Sequence, residues 1–386
     1  MTKIRALVAG ATAAGLLLGV TACSSNGTSH QEDTGPGLYN HLNWTSWINA
    51  QDGWLGVARP CKTSSCHETL RTTDGGRTWT RISQPVDGDG EFGGLLPVTA
   101  SILYRTDQDS SGSGALFVST DAGGTWAPDP TRGGGAGVST LSLAARGGTV
   151  IRAGYERQDP DCPDTGNCGD EIQVTTAGSD SWHTVVAPIT NGASQNAKVV
   201  WQNDRVVYAG FFGEPDDSAT DAVYLDSLLF RSLDGGRHWT PMPDPCRADH
   251  GGTTGLATAA GDRLAVVCGA SSGPGAPTDV FLKVSTDDGI TWGRWHFTSN
   301  ANGIGHQIAL TSSRIISATE NGVQTSTDGG ATWHDVESVQ PGFNPSLVLS
   351  GFDGSDVGQV VDEHSNTMWT TSDGGAHWTR RDVSTS

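Results

Sequence analysis

The sequence predicts an all-β chain folded as a seven-bladed β-propeller with four-stranded antiparallel blades, and three observations predict it. An eight-residue phrase, Ser/Thr-x-Asp-x-Gly-x-x-Trp, returns along most of the 386 residues. Its tryptophans, Trp79, Trp126, Trp182, Trp239, Trp292, Trp333 and Trp378, recur at a period of roughly fifty residues, and a fixed period of that length marks a repeat architecture. Each period holds four short β-forming runs, which is the content of one propeller blade.

The phrase has the chemistry of a tight turn. Asp74, Asp121, Asp234, Asp287, Asp328 and Asp373 can accept backbone N–H bonds within the turn, and the glycine after each takes a positive φ that a Cβ resists. The third copy, Thr175 to Trp182, carries Ala177 where the others have Asp. A short β-rich segment precedes each phrase, and the Trp opens the strand that follows, where its ring can fill the wedge to a neighbouring sheet. The phrase resembles the Asp-box, or BNR repeat, of sialidases and several other propeller families. That resemblance implies a structural role, in turns between the third and fourth strands of a blade, far from the ligand face.

Residues 1–22 read as a secretory signal: Lys3 and Arg5 precede an apolar and small-residue run from Ala6 to Val20, too short for a lasting span. Leu18 to Cys23 resembles a bacterial lipobox, which makes Cys23 the lipidated mature N-terminus. Residues 23–41 are rich in Ser, Gly and acids and form a flexible tether. Residues 42–386 have no linker-like break and read as one propeller, since a repeat array grows by adding units rather than by enlarging a core.

The last repeat gives a template: Ser346 to Gly351, Asp356 to Val361, Asn366 to Thr371 and Trp378 to Asp382 as successive strands. The first repeat parses in the same phase, with Trp44 to Ile48, Gly53 to Ala58, His67 to Thr72 and Thr78 to Ile82, so the ring is expected to close without an exchanged strand. Repeats 1 to 5 are lengthened mostly between their second and third strands, whereas repeat 6 has only Glu320-Asn321-Gly322 there. These long connections share the end opposite the Asp-Gly turns, and insertions on one face often mark a binding face.

Six cysteines besides Cys23 form an even set in an exported chain. Their spacing suggests Cys61–Cys66, Cys162–Cys168 and Cys246–Cys268 among the 15 pairings that six cysteines allow. They lack the CxxC spacing of zinc sites, so no metal and no cofactor is expected. The formal charge of −19 argues against nucleic acid as a partner. Much of it crowds two loops, Glu156 to Glu171 and Glu214 to Asp226, without EF-hand spacing.

Sialidases hold a carboxylate with three arginines beside a Tyr-Glu pair. The chain matches their early Arg-Ile-Pro motif only in Arg59-Pro60. Arg105, Arg132 and Arg247 are placed by strand phase near the long-loop face, and no spacing picks out a triad; Trp201 and His306 lie on inner strands and complete the candidate binding residues. No catalytic residue is assigned. The closer resemblance is to non-catalytic, seven-bladed propellers of the photosystem-assembly-factor type. It implies a monomeric platform for a protein or glycan, here held by lipid at the outer face of the cytoplasmic membrane. The alternative is an exo-sialidase or other glycoside hydrolase.

Overall fold

The computed structural model describes residues 41–60, 65–82, 92–108, 114–129, 138–156, 169–179, 181–189, 196–212, 227–247, 251–258, 263–270, 279–293, 296–297, 307–319, 322–340, 347–350, 356–362 and 365–383. Seven four-stranded antiparallel sheets arise from them, each from one contiguous stretch of chain with its strands in sequence order. Blade 1 consists of His41–Trp47, Gly53–Pro60, Ser65–Thr72 and Thr80–Ile82. Blade 7 consists of Leu347–Ser350, Gly358–Asp362, Thr367–Thr371 and Thr379–Asp382. His41, assigned to the tether on sequence grounds, belongs to the first strand and pairs with Ala58. First strands of successive blades meet around the ring, and that of blade 1 meets the first two strands of blade 7. The ring therefore closes by packing, and each blade keeps its own four strands, as the phase of the repeats predicts.

A blade between two neighbours is covered on both faces, so its middle strands are buried on both. Val207–Phe212, the second strand of blade 4, is buried at all six positions, and Gly358–Asp362 of blade 7 at all five. A continuous apolar run replaces the alternation of a half-solvated strand. Fourth strands face outward, and Thr80–Ile82 has only its last residue half-buried.

Blades adhere through apolar clusters that straddle each boundary. The third residue after a turn Trp supplies much of this contact. Ile82 packs in the cluster of Trp126, Val185 with Trp239, Met242 with Trp292, and Val336 with Trp378, each on the next blade. The closure boundary joins Leu42, Leu55, Leu70 and Trp79 of blade 1 to Val361, Met368 and Val383 from the last repeat. Trp79 also meets Trp47 edge-on at 6.0 Å between centroids.

The turn tryptophans are not equally deep. Trp79 and Trp378 are buried at 2% and 9% exposure. Trp126, Trp182, Trp239, Trp292 and Trp333 are half-buried, so at these boundaries the ring fills the wedge in part. Each Trp also precedes the fourth strand rather than opening it: Trp79 stands immediately before Thr80 and Trp378 before Thr379. The five half-buried rings thus keep part of their surface toward water, whereas those of Trp79 and Trp378 are covered.

Replacing Trp79 by Ala is expected to destabilise the propeller by about 3–5 kcal/mol, as for a buried aromatic, and Trp292→Ala by less. Chemical denaturation of both variants checks this. An effect at Trp79 no larger than that at Trp292 would contradict the deeper burial at the closure boundary.

Candidate functional site

The recurring aspartates are consumed by their own turns. Around Asp287, the Ser285 hydroxyl donates to Oδ1 at 2.7 Å and accepts the Gly289 N–H at 2.8 Å. Oδ1 also accepts the Thr291 N–H at 2.8 Å, and Oδ2 accepts the Thr291 hydroxyl at 2.5 Å. The same set binds Asp74 to Thr72 and Thr78, Asp121 to Ser119 and Thr125, and Asp328 to Ser326 and Thr332. In two turns a histidine stands where the others have Thr: His238 Nδ1 lies 2.5 Å from Asp234 Oδ2, and His377 Nδ1 lies 2.6 Å from Asp373 Oδ2. The residue before Trp is thus part of the motif. The sequence shows only Thr or His there in the six intact copies, a signal the motif-based reading passed over.

Two successive residues of each intact turn have positive φ. They are Gly75 and Gly76 in blade 1, but Ala122 (φ 64°) precedes Gly123 and Asp288 (φ 58°) precedes Gly289. A non-glycine residue in this region is uncommon, and here the staple of hydrogen bonds holds it. Those bonds favour the charged form. The N–H and hydroxyl of Thr125 hold Asp121 down at about 2, the hydroxyl and N–H of Thr291 do the same for Asp287, and Asp74 and Asp328 lie lower still, by way of Thr78 and Thr332.

The third turn, lacking its Asp, is held by one bond from outside and one of its own. Tyr104 Oη of blade 2 accepts the Gly178 N–H at 3.1 Å, and the Thr175 hydroxyl donates to Ser181 O at 2.7 Å. Beside it lies a buried ionic group that sequence reading did not single out. Arg152 Nη1 is 3.2 Å from Asp129 Oδ2, its Nε donates to Gln173 Oε1 at 2.7 Å, and its guanidinium covers Trp182 at 4.3 Å. Gln173 also donates to Glu171 at 2.9 Å. Burial works against the Arg152 charge, and Asp129 and Glu171 sustain it.

At the opposite end, Cys246 and Cys268 form a buried disulfide with Cα atoms 5.5 Å apart, as the sequence suggests. Asp244 organises it, accepting the Cys246 N–H at 2.8 Å and the Thr253 hydroxyl at 2.7 Å. Cys61–Cys66, Cys162–Cys168 and Cys23 fall outside the residues, or the side chains, that are described.

Among the candidate binding residues, Arg105, Arg247 and Trp201 are described, and these three lie apart. Arg105 is buried within the second strand of blade 2, two residues in from the Asp-Gly turn end. Arg247 is exposed, two blades away, after the fourth strand of blade 4. Trp201 ends the first strand of blade 4, pairing with Val207, which in turn pairs with Ser232 of the Asp-Gly turn. It is therefore a buried core residue at the Asp-Gly turn end and not at the long-loop end, because first strands run toward those turns. The Arg59 side chain, Arg132 and His306 lie outside the description. Among the described residues, no group of three or more His, Cys, Asp or Glu is placed to hold a metal.

No protein-family model matches the chain, and no curated protein matches its sequence. Among solved structures it is similar to YCF48 bound to D1 peptide, at 16% identity and a TM-score of 0.54, over 84% of this chain and 91% of that one. It is also similar to an ancestral GH74 enzyme, at 15% identity and a TM-score of 0.57, over 90% of this chain but 47% of the enzyme, so it spans about half that protein's length. A PL25 ulvan lyase bound to a saccharide matches at 12% identity and a TM-score of 0.53, over 90% and 94%. These similarities define the chain as a seven-bladed β-propeller and go no further than the fold.

Because folding lowers the pKa of the turn aspartates below the ordinary carboxylate value of about 3.9, the unfolded chain binds more protons between that value and about 2. Their contribution is complete above pH 4 and is lost as the pH falls toward 2. Urea midpoints should thus drop between pH 4 and 2, and Asp287→Asn should lower the midpoint at pH 7 while flattening the acid slope. A variant with an unaltered slope would remove Asp287 as a contributor.

Proposed function

We propose that the chain is an extracytoplasmic propeller, anchored by lipid on Cys23 at the outer face of the cytoplasmic membrane, that holds a protein or glycan at its long-loop end without transforming it. The observation that carries this reading is the division of chemistry between the two ends. The six turn carboxylates spend their lone pairs on backbone N–H groups and side chains of their own turns, as in the Asp-box propellers that the sequence resembles. The second-to-third strand connections are longest in blades 3 to 5, where residues 157–169, 213–227 and 271–278 separate the strands; those of blades 1 and 7, residues 61–64 and 363–366, are equally short, which corrects the expectation of a lengthened first repeat, and in blade 6 Thr319 pairs directly with Gly322. Variable connections on one end of a rigid ring suit recognition. YCF48 bound to D1 peptide supports the reading as an instance of this fold holding a peptide.

The glycoside hydrolase alternative draws on the GH74 and PL25 neighbours. A sialidase site needs arginines aimed at one carboxylate, and the buried Arg105 and the exposed Arg247 stand two blades apart. Every described carboxylate with a resolved shift is lowered rather than raised, the reverse of what a general acid requires.

Two measurements test the proposal. Metabolic labelling with palmitate is expected to mark the wild-type chain and not Cys23→Ser; an unlabelled wild type would refute the anchor. Cross-linking on intact cells should capture an envelope component that is lost when residues 213–226 are replaced by a two-residue turn. Capture indifferent to that loop, or turnover of a sialoside by the purified chain, would overturn the platform reading.

A further inference from the structure

The blade boundaries follow a rule with two exceptions. Three residues after the turn Trp stand Ile82, Val185, Met242 and Val336, apolar side chains packed with the next blade's Trp. Trp295 occupies the position in blade 5 and lies outside the described residues. In blade 2 the position is Asp129, buried against Arg152. In blade 7 it is Arg381, whose Cδ lies beside Gly76 of blade 1, much as Met242 lies beside Gly289 of blade 5. The aliphatic stem of Arg381 thus takes the place of the hydrocarbon side chain at other boundaries, and it carries a guanidinium beyond that contact. Its Nε is buried and has no hydrogen-bond partner among the described residues.

The same boundary opens into a cleft of about 280 Å³ at the Asp-Gly turn end. Arg381, Asp373 and His377 line it from blade 7, and Trp47, Asp74 and Arg77 from blade 1. The acids already have their partners. Asp74 accepts from Thr72, the Arg77 and Thr78 N–H groups and the Thr78 hydroxyl, and Asp373 accepts from Thr371 and from His377 twice. Among the described residues, Arg77 spends one long side-chain bond, 3.4 Å to Asp74 O. Two guanidinia therefore keep donors to spare beside a half-buried indole.

We propose that this cleft binds a single acidic sugar, its carboxylate on the forks of Arg381 and Arg77 and its ring against Trp47. The planar guanidinium matches a carboxylate two-point, and an aromatic face suits the apolar face of a sugar ring. Asp74 and Asp373 line the same cleft as the two arginines, which disfavours a ligand carrying several negative charges. This site lies at the end opposite the long loops and is independent of the function proposed for them.

The test is titration of the purified full chain with glucuronate, glucose and inorganic phosphate, followed by Trp fluorescence and calorimetry. Saturable one-site binding of glucuronate, with none of glucose, is expected. Arg381→Met restores the hydrocarbon found at the blade 4 boundary, so it should keep or raise the thermal midpoint and weaken glucuronate at least about ten-fold. Arg77→Gln, on an exposed turn, gives a second reading should the first variant not fold, and is expected to weaken binding several-fold. Absence of saturable binding, binding of phosphate in place of glucuronate, or undiminished affinity in the folded variants would overturn the assignment.

Discussion

One short hydrogen-bonded unit, a Ser or Thr hydroxyl and an Asp carboxylate two residues on, underlies the architecture. The hydroxyl accepts the N–H of the fifth residue of the turn, and the carboxylate accepts the N–H of the seventh. Between them the backbone passes through two residues of positive φ and reverses. That reversal delivers two things to the blade boundary, a glycine against which the preceding blade can press and a Trp that lies over the turn. Gly123 meets Ile82, Gly236 meets Ile151 and Gly375 meets Ile316, each on the preceding blade, and a Cβ at any of them would displace that neighbour. The staple thus fixes the spacing between blades as well as the turn within one. The turn is tied to its own blade too: Gly75 donates to Gln51 O and Gly235 to Arg205 O in the turns between first and second strands.

Much of this was legible in the sequence because the unit is local. A hydroxyl, an acid and two glycines within eight residues can be recognised one copy at a time, and their period counts the blades. Closure without strand exchange was legible from phase, because both ends of the repeat array parse into four strands. The depth of each Trp was not, since it depends on which side chain the neighbouring blade presents. Trp79 is covered by Met368 and Val361 across the closure, whereas Trp292 shares its boundary with Met242 and stays half-buried. The direction of a strand was the other loss: Trp201 lies on an inner strand as read, but the register with Ser232 sets it at the Asp-Gly turn end.

The informative residues are those that depart from the repeat. Where the third copy lacks its Asp, the boundary with blade 2 becomes polar. Asp129 stands in the place of an apolar plug, Arg152 neutralises it, and Tyr104 reaches across from blade 2 to accept the Gly178 N–H. Lost chemistry in one turn is matched by gained chemistry across the boundary, which fits the severe cost of an unpartnered buried charge. The sequence shows the loss at Ala177 but hides the compensation, because Asp129 and Arg152 are 23 residues apart and meet only through the packing of two blades.

Arg381 departs from the repeat in a different manner. Its boundary keeps an intact Asp74 turn and a deep Trp79, so nothing in the packing calls for a charge there. An apolar residue would serve the closure at least as well, as Met242 does at the boundary of blades 4 and 5. The Arg381 stem packs beside Gly76 as Met242 does beside Gly289, but it ends in a guanidinium whose buried Nε has no partner among the described residues, a desolvation cost that the Asp129–Arg152 pair avoids by mutual attraction. Structural economy explains the first exception and leaves the second without a reason internal to the fold, which directs attention to what the Arg381 cleft receives from outside.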